Sequence, residues 1–538
     1  MSNPRYDLII IGSGAGGATL AHALAPTGKS ILILERGPHL PVEARNWDAK
    51  AVFVDQCYRT TDEWLDRDGR TFRPATHYWV GGNTSFYGAA LMRMKRTDFQ
   101  AVTHAGGGLS PAWPLSYDDM APWYEMAERL WEVHGQRGVD PFDEPDDPPY
   151  PFPPLTHDPG VAALKAHFET LGWRPSPLPL GVRRDDADPG AAGCIRCRTC
   201  GGFPCLLRAK VDARTAVLAP LRSADNIHLL AEHRAMRIET TPDGRTARTV
   251  VVQGPDGEVR YDGDLIVLAA GAANSAALAL ASANGAHPEG LGNTSGQVGR
   301  NYMFHMTSAV ISVAAQQFNA AFPKTLSVMD FYMGEPDGSY RFPMGQIQLL
   351  EYMTGQTLEG EMADRLPPGL LPNAFSDALA ERMVSFLVMS EDLPDPENRV
   401  TLSADGRIVL SYSWGDTSAH ERLVEKLEAA LEDFTTHRHS LLEHRFQIDS
   451  LLPLYGTAHQ CGTLRFGHDA TTSVLDPNCR FHDLDNLYAV DSSFFVSSAA
   501  VNPTLTIVAN ALRVAEHLKA RLNGATAAPG SVGRQQQG

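Results

Sequence analysis

The sequence predicts an α/β protein: a doubly wound, largely parallel sheet, joined to a second α+β domain that contains an antiparallel sheet. Three observations predict it. The chain opens on an apolar run at residues 6–11 that breaks at Gly12, continues as a helical stretch from about Ala15 to Ala25, and returns as a second apolar run, SILILE. A second strand–turn–helix of the same pattern lies at residues 265–283. Between residues 305 and 455 the pattern changes to alternation (FPMGQIQLLEYM, MVSFLVMS, RIVLSYSW) with one amphipathic helix, SAHERLVEKLEAALEDFTTH.

Each element has its reason. An unalternated apolar run bounded by glycine is the pattern of a strand buried on both faces, as in parallel sheets. Gly28 turns the first helix into SILILE, which completes a βαβ unit of about 30 residues. NLYAVDSS at 486–493 reads as one more strand of the same sheet. Residues 101–193 are rich in Pro, Trp, Tyr and Asp, and proline removes ladder donors and fixes φ, so only short helices within an ordered capping loop are expected there. Alternating strands with one amphipathic helix point to an antiparallel sheet backed by helices. The parallel domain is therefore expected to be assembled from residues 1–100, 194–304 and 456–523, and the second domain with its capping loops from 101–193 and 305–455. Residues 524–538 have nothing to bury and are expected to be disordered.

Composition narrows the function. A chain of 538 residues exceeds what a single core holds, which favours two domains. Its net charge of −17, from 46 basic and 63 acidic side chains, disfavours nucleic acid and anionic membranes as partners, because phosphate binding needs clustered Lys and Arg. The most membrane-like stretch, LIVLAAGAANSAALALASA, is interrupted by Gly271, Asn274 and Ser275 and reads as strand, turn and helix. No charged leader or cleavage site precedes the first strand, so a cytoplasmic protein is expected.

Gly12-x-Gly14-x-x-Gly17 lies between a strand and a helix, the context in which this spacing binds a dinucleotide. Gly12 permits the tight turn, Gly14 lets backbone approach a pyrophosphate, and Gly17 allows helix and strand to pack closely. Glu35, ending the second strand, is placed to accept from a ribose hydroxyl. Near the other end lie His459-Gln460-Cys461-Gly462-Thr463 and Val501-Asn502-Pro503-Thr504. A neutral imidazole is a suitable proton acceptor, because its pKa sits near working pH. His459 is the candidate base, and Asn502 a candidate hydrogen-bond donor.

A dinucleotide-binding opening with this His/Asn ending resembles the glucose–methanol–choline (GMC) oxidoreductases, in which FAD takes a hydride from an alcohol carbon as the hydroxyl proton leaves. The resemblance implies that His459 takes that proton and that Asn502 donates to the alcohol oxygen. Two further segments strengthen the resemblance. THYWVGGNTSFYGAALMRM is similar to the family's first signature, whose Gly82, Asn83 and Thr84 would run beside the flavin. Gly271-Ala272-Ala273-Asn274-Ser275 is similar to the second, although its usual proline is Ala276 here. The resemblance implies that Asp491 bonds the ribityl or phosphate region, that Thr504 also meets the cofactor, and that His–Asn is used where other members have His–His. Some members bind flavin covalently through a His that is Phe86 in this chain, and Tyr87 replaces a common Asn. Non-covalent FAD follows, with His77 the nearby nucleophile. VGRNYMFH would line the domain junction, with His305 in a structural role.

Cys194, Cys197, Cys200 and Cys205 form C-x2-C-x2-C-x4-C, which departs from a ferredoxin run in its last spacing and in the position of Pro204. Zinc would need two separated pairs or a His partner, and no metal is expected. Within the family, the GGNTSFYGAAL and GGFPC loops look most like bacterial sugar- and glycoside-oxidising members, similar to pyranose oxidases. Gln346 and Gln348 alternate on a strand and could face a polyhydroxylated ligand or solvent. The substrate implied is a small-molecule alcohol, foremost a carbohydrate, with oxygen or another acceptor reoxidising the flavin. The alternatives are a small-alcohol, choline or sterol oxidoreductase and, from another class, an iron–sulfur electron-transfer flavoprotein.

Overall fold

The computed structural model of the chain describes residues 3–188, 190, 193–314, 316–361, 373–435, 452–456 and 458–524. Of the tail expected to be disordered, all but Gly524 lies outside the described residues.

Among the described residues, a seven-stranded sheet carries five parallel strands in the order Ile227–Leu230, Ile31–Leu34, Arg5–Ile11, Gly257–Leu268 and Leu487–Ala489. Arg234–Thr240 and Ala247–Gly254 extend it as an antiparallel meander on the first half of Gly257–Leu268. Leu8 pairs with Ile31 and Leu265, and both faces of these central strands are covered, which is why the apolar runs do not alternate. Burial of each such side chain is worth roughly 1.5–3 kcal/mol. Helix Ala15–Leu24 follows the first strand and packs on the long C-terminal helix Thr504–Leu522.

The second sheet has five antiparallel strands in the order Met306–Val313, Met383–Ser390, Gln346–Leu349, Leu326–Val328 and Ser176–Pro177. One face, with Val310, Ile347, Phe386 and Val388, packs against helices Pro159–Thr170 and Ser418–Thr435. Gln346 and Gln348 lie on the other face and are fully buried, so neither faces solvent. A smaller sheet pairs Ile408–Ser411 with Trp64–Asp66, joining segments far apart in the chain.

The proline-rich region differs from its expectation. It holds a helix of 14 residues, Tyr117–Leu130, and one of 12, Pro159–Thr170. Pro159 occupies a first-turn position where no amide donor is needed. Ser116 and Asp119 form a capping box that starts the longer helix despite Pro122, and that helix packs on Thr504–Leu522. No helix among the described residues is long and apolar enough to cross a membrane.

Candidate active site

The first strand ends in a turn that only glycines can make. At Gly12 φ is +111°, and a Cβ would meet Ala269 O at 2.2 Å. A Cβ on Gly17 would meet Gly12 O at 2.1 Å, so this residue serves the strand–helix packing and does not line the cavity described next. Gly14 is different: a Cβ there would have nothing within 4 Å. Helix Ala15–Leu24, with Gly14 at its N-cap, has no side-chain cap, and Gly14, Ala15 and Gly16 line a cavity of about 950 Å³ at this helix end.

Gly12, Gly14 and Glu35 line that cavity. Glu35 Oε2 accepts from Ser13 N (3.1 Å) and Ser13 Oγ (2.6 Å), and Oε1 accepts from Gly37 N (2.8 Å). Burial raises the pKa of this carboxyl. Ser13 Oγ also accepts from Gly81 N at 3.0 Å, tying the opening turn to the second glycine loop, a link the sequence reading missed.

Gly82, Asn83 and Thr84 line the middle of the cavity. Their side chains hold the loop itself. Asn83 Oδ1 accepts from His77 N (2.8 Å) and Nδ2 donates to Ala75 O (3.2 Å), while Thr84 Oγ1 donates to Gly81 O (2.7 Å). Phe86 stacks on His77 with ring centroids 4.0 Å apart. The His77 ring also lines the cavity, and burial lowers its pKa to about 4.

Behind this loop the buried ammonium of Lys210 donates to Tyr87 O (2.8 Å), Cys200 O (3.0 Å) and Phe203 O (2.7 Å), stapling the cysteine loop to it. Cys194, Cys197, Cys200 and Cys205 are free thiols, and burial pushes Cys200 up to about 12. Among the described residues, no group of three His, Cys, Asp or Glu side chains is arranged to hold a metal.

Gly271, Ala272 and Asp491 form the next stretch of wall. The Asp491 carboxylate accepts from Gly271 N (3.0 Å) and Ser275 Oγ through Oδ2, and from Ser493 N (2.9 Å) through Oδ1. It thereby locks two cavity-lining turns together, and burial raises its pKa.

His459, Asn502 and Thr504 also line this cavity. Their placement depends on a short antiparallel bridge. Met303 N donates to Cys461 O (3.0 Å) and Cys461 N to Met303 O (2.8 Å). Gly462 makes the close approach possible: its φ is +89°, and a Cβ would meet Asn301 O at 2.3 Å. The bridge brings His305 to His459, with the two Nδ1 atoms 2.8 Å apart, while His305 Nε2 lies 3.1 Å from Ser498 O. His305, expected in a structural role at the domain junction, thus contacts the candidate base directly. Burial lowers its pKa to about 4. The His459 pKa falls well below the usual value, first through burial, then through the nearby His305 and Lys324.

The loop before Asn502 is held by the second domain. Ser498 Oγ accepts from Asp392 N (3.0 Å), Ala500 N donates to the Tyr332 hydroxyl (3.2 Å), and Ala500 O accepts from Gln346 Nε2 (2.7 Å). Asn502 Oδ1 has no partner within the protein.

Uncapped helix amides beside a glycine turn, a carboxylate at the end of the second strand, and the unpartnered amide oxygen of Asn502 share one cavity with His459, and the set fits a dinucleotide. Fold and site define an FAD-binding flavoenzyme that oxidises alcohol groups. The chain belongs to the GMC oxidoreductase family, matching its N-terminal part over residues 6–307 and its C-terminal part over residues 394–511. It is 31% identical to 6'''-hydroxyparomomycin C oxidase of Streptomyces lividus, over 96% of this chain and 92% of that one. It is 30% identical to paromamine 6'-oxidase of Streptomyces fradiae, over 95% and 91%. Its fold is similar to the crystal structure of pyridoxine 4-oxidase from Mesorbium loti, with a TM-score of 0.63 and 20% identity, covering 95% of this chain and 99% of that one.

Proposed function

We propose that this protein oxidises a CH–OH group of a sugar or glycoside to a carbonyl, with His459 as general base and Asn502 as the group that orients the alcohol. One observation carries the reading: a single cavity runs from the uncapped glycine turn at Gly14 to His459 and Asn502. Gly12, Gly14 and the first-turn amides of helix Ala15–Leu24 would hold the FAD pyrophosphate, Glu35 the ribose, and Gly82, Gly271, Ala272 and Thr504 the remainder. Bound there, FAD supplies the hydride acceptor. Phe86 offers it no nucleophile, so the attachment is non-covalent.

His459 stays neutral at working pH because its pKa is held well below the ordinary value, and it accepts the hydroxyl proton as the C–H bond is broken. Asn502 donates an amide N–H to the alcohol oxygen and stabilises the alkoxide charge that develops there. The two Streptomyces relatives, named as oxidases of 6'''-hydroxyparomomycin C and of paromamine, support a sugar-like substrate. Oxygen or another acceptor completes the cycle.

The test is anaerobic stopped-flow bleaching of the flavin with sugars, glycosides, choline, a sterol and simple alcohols. Sugars or glycosides should bleach it fastest. His459→Ala should retain FAD and lose about 10²–10⁴ in the limiting rate. A His459→Ala variant that bleaches at the parental rate would show that the base lies elsewhere.

A further inference from the structure

We infer that His305 is a positioning residue that fixes His459 in its Nδ1–H tautomer, leaving Nε2 as the bare nitrogen that takes the alcohol proton. The inference rests on the reading of His459 as the base.

Ser498 O is a carbonyl and can only accept, so at 3.1 Å it must receive an N–H from His305 Nε2. His305 is buried and neutral, with a pKa of about 4, and a neutral imidazole carries one N–H. Its Nδ1 is then a lone pair. That lone pair lies 2.8 Å from His459 Nδ1, which must be the donor. The two rings meet edge-on, at 82°, which lets the N–H of one point in the plane of the other's lone pair. Neutral His459 therefore has its only proton on Nδ1, and Nε2 is free.

This arrangement suits the proton transfer. The O–H bond of the alcohol breaks, its proton forms the new Nε2–H bond, and the imidazolium keeps donating Nδ1–H to the same His305 lone pair. No group has to turn during the step. Without an acceptor at position 305, His459 could hold its proton on Nε2 instead and would present a donor where a base is needed.

The tautomer can be read directly in the holoenzyme by nitrogen-15 NMR with labelled histidine, the His459 signals being assigned by their loss in His459→Ala. The parent should show His459 with a protonated Nδ1 and a bare Nε2; an Nε2–H form of His459 would overturn the inference. Two variants give the kinetic counterpart. His305→Leu removes the acceptor and should lower the limiting rate of substrate-driven bleaching roughly 5- to 100-fold, with half-saturation by substrate little changed. His305→Asn places an amide oxygen near the former Nδ1 and should recover most of that rate, a rescue that a merely structural role would not predict. A parental rate in His305→Leu with His459→Ala inactive would sink the role of His305 alone. A parental rate in His459→Ala would sink the reading of the base itself.

Discussion

Gly14→Ala separates the fold from cofactor binding, because at this position the two make opposite demands. The backbone there is ordinary, with φ −71° and ψ −166°, and a Cβ would touch no protein atom within 4 Å. Restricting the unfolded chain gains about 0.4–1 kcal/mol. Alanine is a poorer helix N-cap than glycine, which costs a comparable amount, roughly 0.5–1 kcal/mol. The cofactor-free protein should thus keep its stability to within about 1 kcal/mol. The methyl group, however, would occupy the approach to the uncapped first-turn amides. Displacing a pyrophosphate from two such charge-assisted hydrogen bonds removes about 3–6 kcal/mol, or roughly 10²–10⁴ in FAD affinity. The variant should purify as folded, nearly colourless protein. Flavin absorbance relative to protein, followed by FAD titration of deflavinated protein, measures the loss. Gly12→Ala is the contrast: with φ at +111° and Ala269 O at 2.2 Å, it should fail to fold. A Gly14→Ala protein with full FAD and parental affinity would refute the assignment of this turn to the pyrophosphate.

Asn502→Ala should reduce the limiting bleaching rate by about tenfold, less than His459→Ala, because it removes orientation and one hydrogen bond and leaves the base in place; a loss as large as that of His459→Ala would contradict the division of roles. Acid precipitation of the holoenzyme should leave a colourless pellet, and a yellow one would mark a covalent flavin, with the cavity-lining His77 the first residue to test. Asp392, buried where Phe304 N and the Tyr412 hydroxyl donate to its carboxyl, has its pKa raised by burial from 3.8 to about 8. Between those values the folded protein holds a proton that the unfolded chain has lost, so this residue's contribution to stability falls as pH rises and levels off above about 8. Asp392→Asn should therefore gain on the parent by about 1.4 kcal/mol per pH unit across that window, read as the difference in thermal midpoint between the two proteins from pH values of about 6.5 to 8, in which histidine titration, common to both, cancels; a pH-independent difference would show that Asp392 is already ionised in the fold.

The parallel sheet was legible because its signal is local. Residues 6–11 and SILILE are apolar without alternation, and the glycine turn between them is contiguous in sequence. The contact of His305 with His459 was not legible, because it depends on the bridge between Met303 and Cys461, two isolated residues with no periodic pattern around either. Gly462 was the one available signal, a glycine three positions from the candidate base, but its sequence neighbours do not reveal that Asn301 lies against it. Helix Tyr117–Leu130 was obscured by the prolines around it, although Ser116-x-x-Asp119 is a capping signature that marks its start. The identities of the cavity-lining turns were readable from sequence, but the use of their side chains was not. Asn83 and Thr84 brace their own loop and Asp491 ties two turns together, a division of labour set by tertiary contacts.

The loop that carries Asn502 leads into a helix packed in the parallel domain, yet the second domain positions it. Ala499, in the middle, has φ +55°, a left-handed conformation that costs a residue with a Cβ about 1–2 kcal/mol. Such strain persists only where its surroundings enforce it. Here the flanking residues are clamped at Ser498 by His305 and Asp392, and at Ala500 by Tyr332 and Gln346. Gln346 belongs to the antiparallel sheet, and its buried amide donates to the chain two residues before Asn502. A substitution in that sheet that moves Gln346 would therefore move Asn502 without touching the substrate. With Asn502 in its proposed role, changes made in the antiparallel sheet to alter substrate choice should alter the limiting rate as well as affinity.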